Sequence, residues 1–222
     1  MTPEAYMIAA RVPRSIQPQN FGPWSITRIE AGAALSDGRE SLWRRMVGFS
    51  DYTLLSHYTL ACEMGALPEV VMEDSRRELR KHLPIWLAAR GDVLVTGLGL
   101  GCVVRGLLIS PHVNHVTVIE KCPRIVEVIG PEFWNDPRVS LRLDDAMEWI
   151  PDRKFDFAWH DLWTDVNAGE PHLQRLHARL FIKYRKTAKV QGAWAFPREL
   201  FRLYASRLPL IGGPKFRESA TA

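Results

Sequence analysis

From Asp92 onward the chain alternates short apolar runs with amphipathic stretches. Runs rich in β-branched and aliphatic residues at 93–96, 115–119, 139–143, 155–160 and 192–196 predict strands. Between them the spacing predicts helices at 101–109, 123–129, 146–150 and 171–186. The last carries Leu173, Leu176, Leu180, Phe181 and Tyr184 on one stripe, with Pro171 suited to the first turn. Strands alternating with helices imply an α/β fold: a doubly wound, mostly parallel sheet with right-handed crossovers and helices on both faces.

The chain before Asp92 reads differently. Pro3, Pro13, Pro18 and Pro23 punctuate the first residues, which are expected to form an extended or poorly ordered arm. Residues 24–30 (WSITRIE) alternate and predict a strand. Residues 40–48 suggest a short helix, and 52–62 fit either type. Ser75 and Glu78 form a capping box, so a helix starts there; Pro84 should kink or restart it, and Gly91 should end it. The division expected is a small N-terminal β/α extension at 1–73 and a ligand-binding domain at 74–222.

Composition adds little that is restrictive. The 222 residues are 46% hydrophobic and 24% charged, an ordinary globular balance that permits one sizeable domain with an appendage. No apolar run reaches membrane-spanning length, and no leader pattern opens the chain, so a cytoplasmic location is expected. Cys62, Cys102 and Cys122 are odd in number and widely spaced, which suits reduced thiols and offers no metal spacing. A net charge of +4 permits an acidic partner without requiring one.

The chemistry concentrates at the predicted strand ends. Residues 93–101 read VLVTGLGLG, a buried strand breaking into Gly97, Gly99 and Gly101, where a backbone can approach a nucleotide-like ligand. The next strand ends at Glu120, placed to accept both ribose hydroxyls of a nucleoside. The third ends at Asp144 and Asp145, followed by Ala146, where a carboxylate can meet an adenine amino group. The fourth ends at His160 and Asp161. A dinucleotide would want G-x-G-x-x-G and a phosphate partner; here the run is G-x-G-x-G, followed by Cys102, and Lys121 stands alone beside Glu120. An acidic site without a phosphate cradle suits S-adenosylmethionine, a cation whose reaction needs mainly an in-line nucleophile.

These stretches resemble the class I S-adenosylmethionine-dependent methyltransferase superfamily, and within it the spermidine synthase-like branch. Glu78, His82, Leu83 and Pro84 match an E-x-x-x-H-L-P stretch. Asp136-Pro-Arg-Val139 and Asp144-Asp-Ala146 are similar to the third-strand motif, and Asp161 with Asp165 to a pair of aspartates after the fourth strand. The resemblance, over roughly residues 74–196, implies a Rossmann-like core. It implies that Gly97, Gly99, Gly101, Glu120, Asp144, Asp145 and Ala146 hold the cofactor. It departs where Leu100 replaces an aspartate that contacts polyamine substrates, where Arg77 replaces a histidine, and at Val95. Residues 203–211 are also too short and Pro-broken for the family's final strand pair. The implied activity is therefore methyl transfer to an acceptor the sequence does not name, with aminopropyl transfer or a catalytically silent nucleic-acid-binding module as alternatives.

Asp161 is the expected base or orienting carboxylate, with His160 either its helper or a strand-end structural residue. Trp163 and Asp165 are candidate acceptor contacts. The basic residues between Arg175 and Arg198 read as a nucleic-acid footprint or as a solvated helix face. A sheet edge left by missing strands leaves room for a homodimer.

Overall fold

The computed structural model describes residues 2–29, 57–63, 68–162 and 171–194. The chain opens with helix α1 (Pro3–Ala9), not with the expected extended arm. The local chemistry explains this: Thr2 caps the helix by accepting the Ala5 N–H (3.3 Å), Pro3 fits the first turn and Glu4 favours the positive end of the dipole. Tertiary packing completes it, because Tyr6, Met7, Ala10 and Val12 are all buried.

Strands β1 (Gln19–Phe21), β2 (Trp24–Ile29), β3 (His57–Glu63) and β4 (Pro68–Glu73) follow as one antiparallel sheet in that order. The ambiguous segment at 52–62 is thus strand from His57. Residues 40–48, 163–170 and 195–222 lie outside the described residues, and with them the short helix expected at 40–48 and the question of final strands.

Helix α2 (Arg76–Ala88) starts where the capping box places it, with Ser75 Oγ accepting the Glu78 N–H at 3.3 Å. It runs through Pro84 without a break, losing one backbone hydrogen bond. Tyr6 of α1 stacks on its Trp86, with ring centroids 6.2 Å apart and planes 9° from parallel. Gly91 does not end this helix. It opens the next strand at φ +66°, where a Cβ would collide with the Asp156 carboxyl that accepts the Asp92 N–H.

The remaining elements are β5 (Gly91–Thr96), α3 (Cys102–Leu108), β6 (Val113–Glu120), α4 (Pro123–Ile129), β7 (Val139–Leu143), β8 (Phe155–His160), α5 (Pro171–Tyr184) and β9 (Ala188–Ala193). Five strands pair in parallel in the order β7-β6-β5-β8-β9. This is the Rossmann-like, doubly wound α/β sheet. Alternate side chains divide between its faces. Val93, Val95, Val116 and Val118 pack with Trp86, Val103, Leu107 and Ile129. Leu94, Ile119 and Ala158 pack with Leu180 and Tyr184 on the opposite face.

Two predicted elements change. Residues 146–150 form a turn, not a helix, because Asp145 takes over their first N–H groups: its Oδ1 accepts from Met147 (2.8 Å) and its carbonyl from Glu148 and Trp149. The last strand begins four residues before the predicted 192–196. No helix among the described residues is long and apolar enough to cross a membrane.

Asp74, just before α2, ties the segment after α1 to β3. Almost fully buried, it accepts the Tyr58 N–H on Oδ1 (2.5 Å) and the Val12 N–H on Oδ2 (2.9 Å), with Arg11 3.6 Å away. Asp74→Ala leaves two buried donors without partners. The expected loss is about 2–4 kcal/mol of stability in urea unfolding, with Asp74→Asn, which keeps one acceptor, losing less.

Candidate functional site

The sheet order places β5 in the middle, with β6 on one side and β8 on the other. The crevice beyond their carboxyl ends is the site this topology offers. The hydrogen bonding of the sheet continues into it. Gly97 N–H donates to the Ile119 carbonyl (2.8 Å), Asp161 N–H to the Thr96 carbonyl (2.8 Å) and Asp144 N–H to the Glu120 carbonyl (3.0 Å). The loops after β5, β7 and β8 are thereby held in fixed register.

Gly97, Gly99 and Gly101 all adopt positive φ, at +96°, +51° and +78°. What crowds them is the protein itself. A Cβ on Gly97 would strike the Asp161 carbonyl. One on Gly99 would lie 2.5 Å from Met72 Sδ, and one on Gly101 2.8 Å from the Phe133 ring. The expectation that these glycines make room for a ligand is corrected to this extent: each first makes room for another part of the fold. Leu100 is fully buried, and its N–H donates to Met72 Sδ at 3.1 Å.

Sequence reasoning missed Arg105, whose side chain is almost wholly buried. It donates to the carbonyls of Leu100 (2.5 Å) and Ala10 (3.1 Å) and pairs with Glu132 (2.5 Å). The glycine turn is thus braced from behind by a cation. The available signal was a lone arginine inside an apolar helix, which needs partners when buried.

Glu120 lies at the end of β6, as expected, and is buried. Its Oε2 accepts the Leu98 N–H and its Oε1 the Cys122 N–H, both at 2.7 Å. One carboxylate therefore ties the glycine turn to the next loop. Each oxygen keeps a second lone pair for a hydroxyl. Asp144 is exposed, and its Oδ1 accepts the Asp145 N–H. Asp145 pairs with Lys121 Nζ at 2.8 Å, a hydrogen bond that holds its carboxyl below the usual range. Ala146 is buried and its carbonyl accepts from the Tyr184 hydroxyl (2.7 Å).

His160 and Asp161 diverge although they are adjacent. His160 is fully buried on the α5 side, with Nδ1 3.0 Å from Thr96 Oγ1 and Nε2 3.0 Å from Gln191 Oε1. Burial lowers it to about 4, so it is neutral. With both ring nitrogens occupied, the expected role as helper to Asp161 does not fit; it cross-links β5, β8 and β9. Asp161 keeps partial exposure as a residue. Its carboxyl is nonetheless enclosed enough that burial, followed by the charge of Glu78, pushes it up to about 8. Trp163 and Asp165 lie outside the described residues.

Of the basic segment, Lys183 donates to the Met147 carbonyl (2.9 Å) and Lys189 pairs with Asp156 (2.5 Å). Arg175, Arg179, Arg185 and Lys186 are exposed, and Arg198 lies outside the described residues. Among the described residues no group of three His, Cys, Asp or Glu side chains is placed to hold a metal ion.

No family model matches the chain. It is 34% identical over 91 residues to polyamine aminopropyltransferase 2 of Ralstonia nicotianae, a match covering 34% of this chain and 18% of that protein. The match therefore spans less than a fifth of that relative's length. Among solved structures it is similar to a spermidine synthase in complex with the transition-state analogue AdoDATO, with a TM-score of 0.43 and 19% identity over 60% of this chain and 51% of that one. It is also similar to the N-methyltransferase NodS of Bradyrhizobium japonicum in complex with S-adenosylhomocysteine, with a TM-score of 0.39 and 18% identity over 51% and 55%.

The raised pKa of Asp161 has a signed consequence for stability. Between about pH 4 and 8 the unfolded chain gives up this proton while the folded one keeps it, so the group opposes folding increasingly as pH rises through that window. Asp161→Asn removes the effect. Relative to the variant, the urea midpoint of the unaltered protein is expected to fall from pH 5 to pH 8; parallel curves would show that Asp161 is not held neutral.

Proposed function

We propose that the chain is an S-adenosylmethionine-dependent transferase, most simply a methyltransferase. The observation that carries this reading is Glu120: a buried carboxylate at the end of β6, fixed against the glycine turn of β5 by two backbone N–H groups. It has lone pairs left for a pair of hydroxyls. The surrounding donor set fits the group. Carboxyls stand at the ends of β6, β7 and β8, and Lys121, which a phosphate would need, is paired with Asp145.

Glu120 would hold the ribose, Asp145 with the turn at Ala146 the adenine, and the backbone of the glycine turn the amino-acid end. S-adenosylmethionine supplies an activated methyl group beside a sulfonium. Asp161, at the end of β8, orients the acceptor and takes its proton; a carboxyl poised near 8 is a stronger base than an ordinary one when ionised. His160 fixes the strand end that presents Asp161. The enclosed crevice contributes mainly position.

A second reading is aminopropyl transfer, which the similarity to proteins named as polyamine aminopropyltransferases favours. An assay with putrescine and decarboxylated S-adenosylmethionine decides between them, and methyl transfer predicts no product.

Two measurements test the cofactor assignment. In calorimetry S-adenosylhomocysteine should bind at micromolar concentrations, and Glu120→Ala should weaken it by about tenfold or more. No binding, or unchanged binding in the variant, overturns the reading. A sulfonium beside Asp161 favours its ionised form, so S-adenosylmethionine affinity should rise with pH and level off near 8. The slope should flatten in Asp161→Asn.

A further inference from the structure

We propose that Lys81 and Glu78, one turn apart on α2, are positioning residues of this site: Lys81 makes it easier for Asp161 to ionise as the base, and Glu78 makes it harder. The inference deepens the transferase reading and rests on it for the role of Asp161.

Contacts place the pair beside Asp161. Helix α2 packs on the end of β8 through His82, whose ring meets Trp159 edge-on with centroids 6.4 Å apart. Lys81 precedes His82, and its ammonium lies 4.5 Å from the centre of the Trp194 ring. Trp194 comes directly after the register pair His160 and Ala193, and its backbone N–H donates to the His160 carbonyl at 3.0 Å. The ring under the ammonium thus belongs to the residue alongside Asp161. Two attractions fix the ammonium there: the Trp194 ring face and the Glu78 carboxylate at 2.9 Å.

Little water reaches the pair. The side chains of Lys81 and Glu78 are 26% and 14% exposed, and charges so placed are screened less than surface charges. Seen from a distance the two nearly cancel. Asp161 lies close enough to feel each one separately. Glu78 disfavours its ionised form, Lys81 favours it, and Glu120 at the end of β6 disfavours it. Ionising Asp161 brings a third carboxylate into a space that already holds two. Among the described residues Lys81 is the cation that offsets this.

An ion pair that only supported α2 would leave the titration of Asp161 unchanged. Lys81→Met removes the favourable charge, and Glu78 loses the cation 2.9 Å away, so both changes keep the proton on Asp161. Glu78→Gln removes the like charge, and Lys81 loses that carboxylate, so both changes release the proton. Gln keeps the capping-box chemistry of this position and the backbone N–H that Ser75 accepts, so α2 still starts in the same place.

The test uses the full chain with isotope-labelled aspartate. The Asp161 carboxyl is followed by NMR against pH, its signal assigned by its loss in Asp161→Asn. The midpoint should rise by about half a pH unit or more in Lys81→Met, a change in proton affinity of roughly threefold. It should fall by a similar amount in Glu78→Gln. Lys81→Arg and the double variant Lys81→Met with Glu78→Gln should both titrate near the original. The pH dependence of S-adenosylmethionine affinity should move the same way in each variant. Each single variant fixes the sign on its own, so loss of folding in one leaves the other decisive. Unchanged midpoints, or shifts of the same sign in both single variants, overturn the proposal and leave the cofactor reading standing. Opposite shifts in a protein that binds no S-adenosylhomocysteine overturn the transferase reading and, with it, the role of the pair.

Discussion

The carboxylate of Glu120 receives one backbone N–H from the turn after β5 and another from the loop after β6. The first bond is buried and the second partly so, and both have a carboxylate as acceptor, the stronger kind of hydrogen bond. They set the separation of the two loops that form the floor of the crevice. On the other side of β5 the constraint is steric. The Asp161 carbonyl occupies the volume of a Gly97 Cβ, and the Thr96 carbonyl takes the Asp161 N–H. With a side chain at 97, β8 could not end beside β5, and Asp161 would not face the same space as Glu120.

The N-terminal extension completes this arrangement. Met72 of β4 lies against Gly99 and receives the Leu100 N–H, and Arg105 links the Leu100 carbonyl to that of Ala10 just beyond α1. The glycine turn is therefore clamped between the extension and the buried arginine. Asp74 ties the extension together, joining the segment after α1 to β3 through Val12 and Tyr58. The geometry of the crevice depends on residues before Asp92 as much as on the sheet that follows.

How far these features were legible depends on where their determinants lie. Strands 139–143 and 155–160 and the start of α2 follow from apolar period and a cap, both local signals. The acidic strand ends were legible because topology alone assigns the crevice. Helix α1 was hidden by its prolines, although Thr2 and Pro3 spell a helix start; what secures it is burial against Trp86, far along the chain. β9 was displaced because Gln191 reads as polar. In the fold it is buried, bonding His160 and the Phe181 carbonyl, so its polarity is satisfied internally. The role of the glycines was half legible: φ could be inferred, the neighbour that excludes a Cβ could not.

Charge pairing separates the acids of this crevice into two kinds. Asp145 has Lys121 and Glu78 has Lys81, each within 3 Å. Such pairs spend their charge locally and exert little field on a ligand. Glu120 is engaged by neutral N–H groups, and Asp161 has no cation bonded to it among the described residues. The crevice thus has two carboxyls with no cation bonded to them among the described residues: Glu120 at the end of β6, and Asp161 just after β8, which burial keeps protonated up to about 8. A molecule spanning that gap would place hydroxyls at one end and a positive centre at the other.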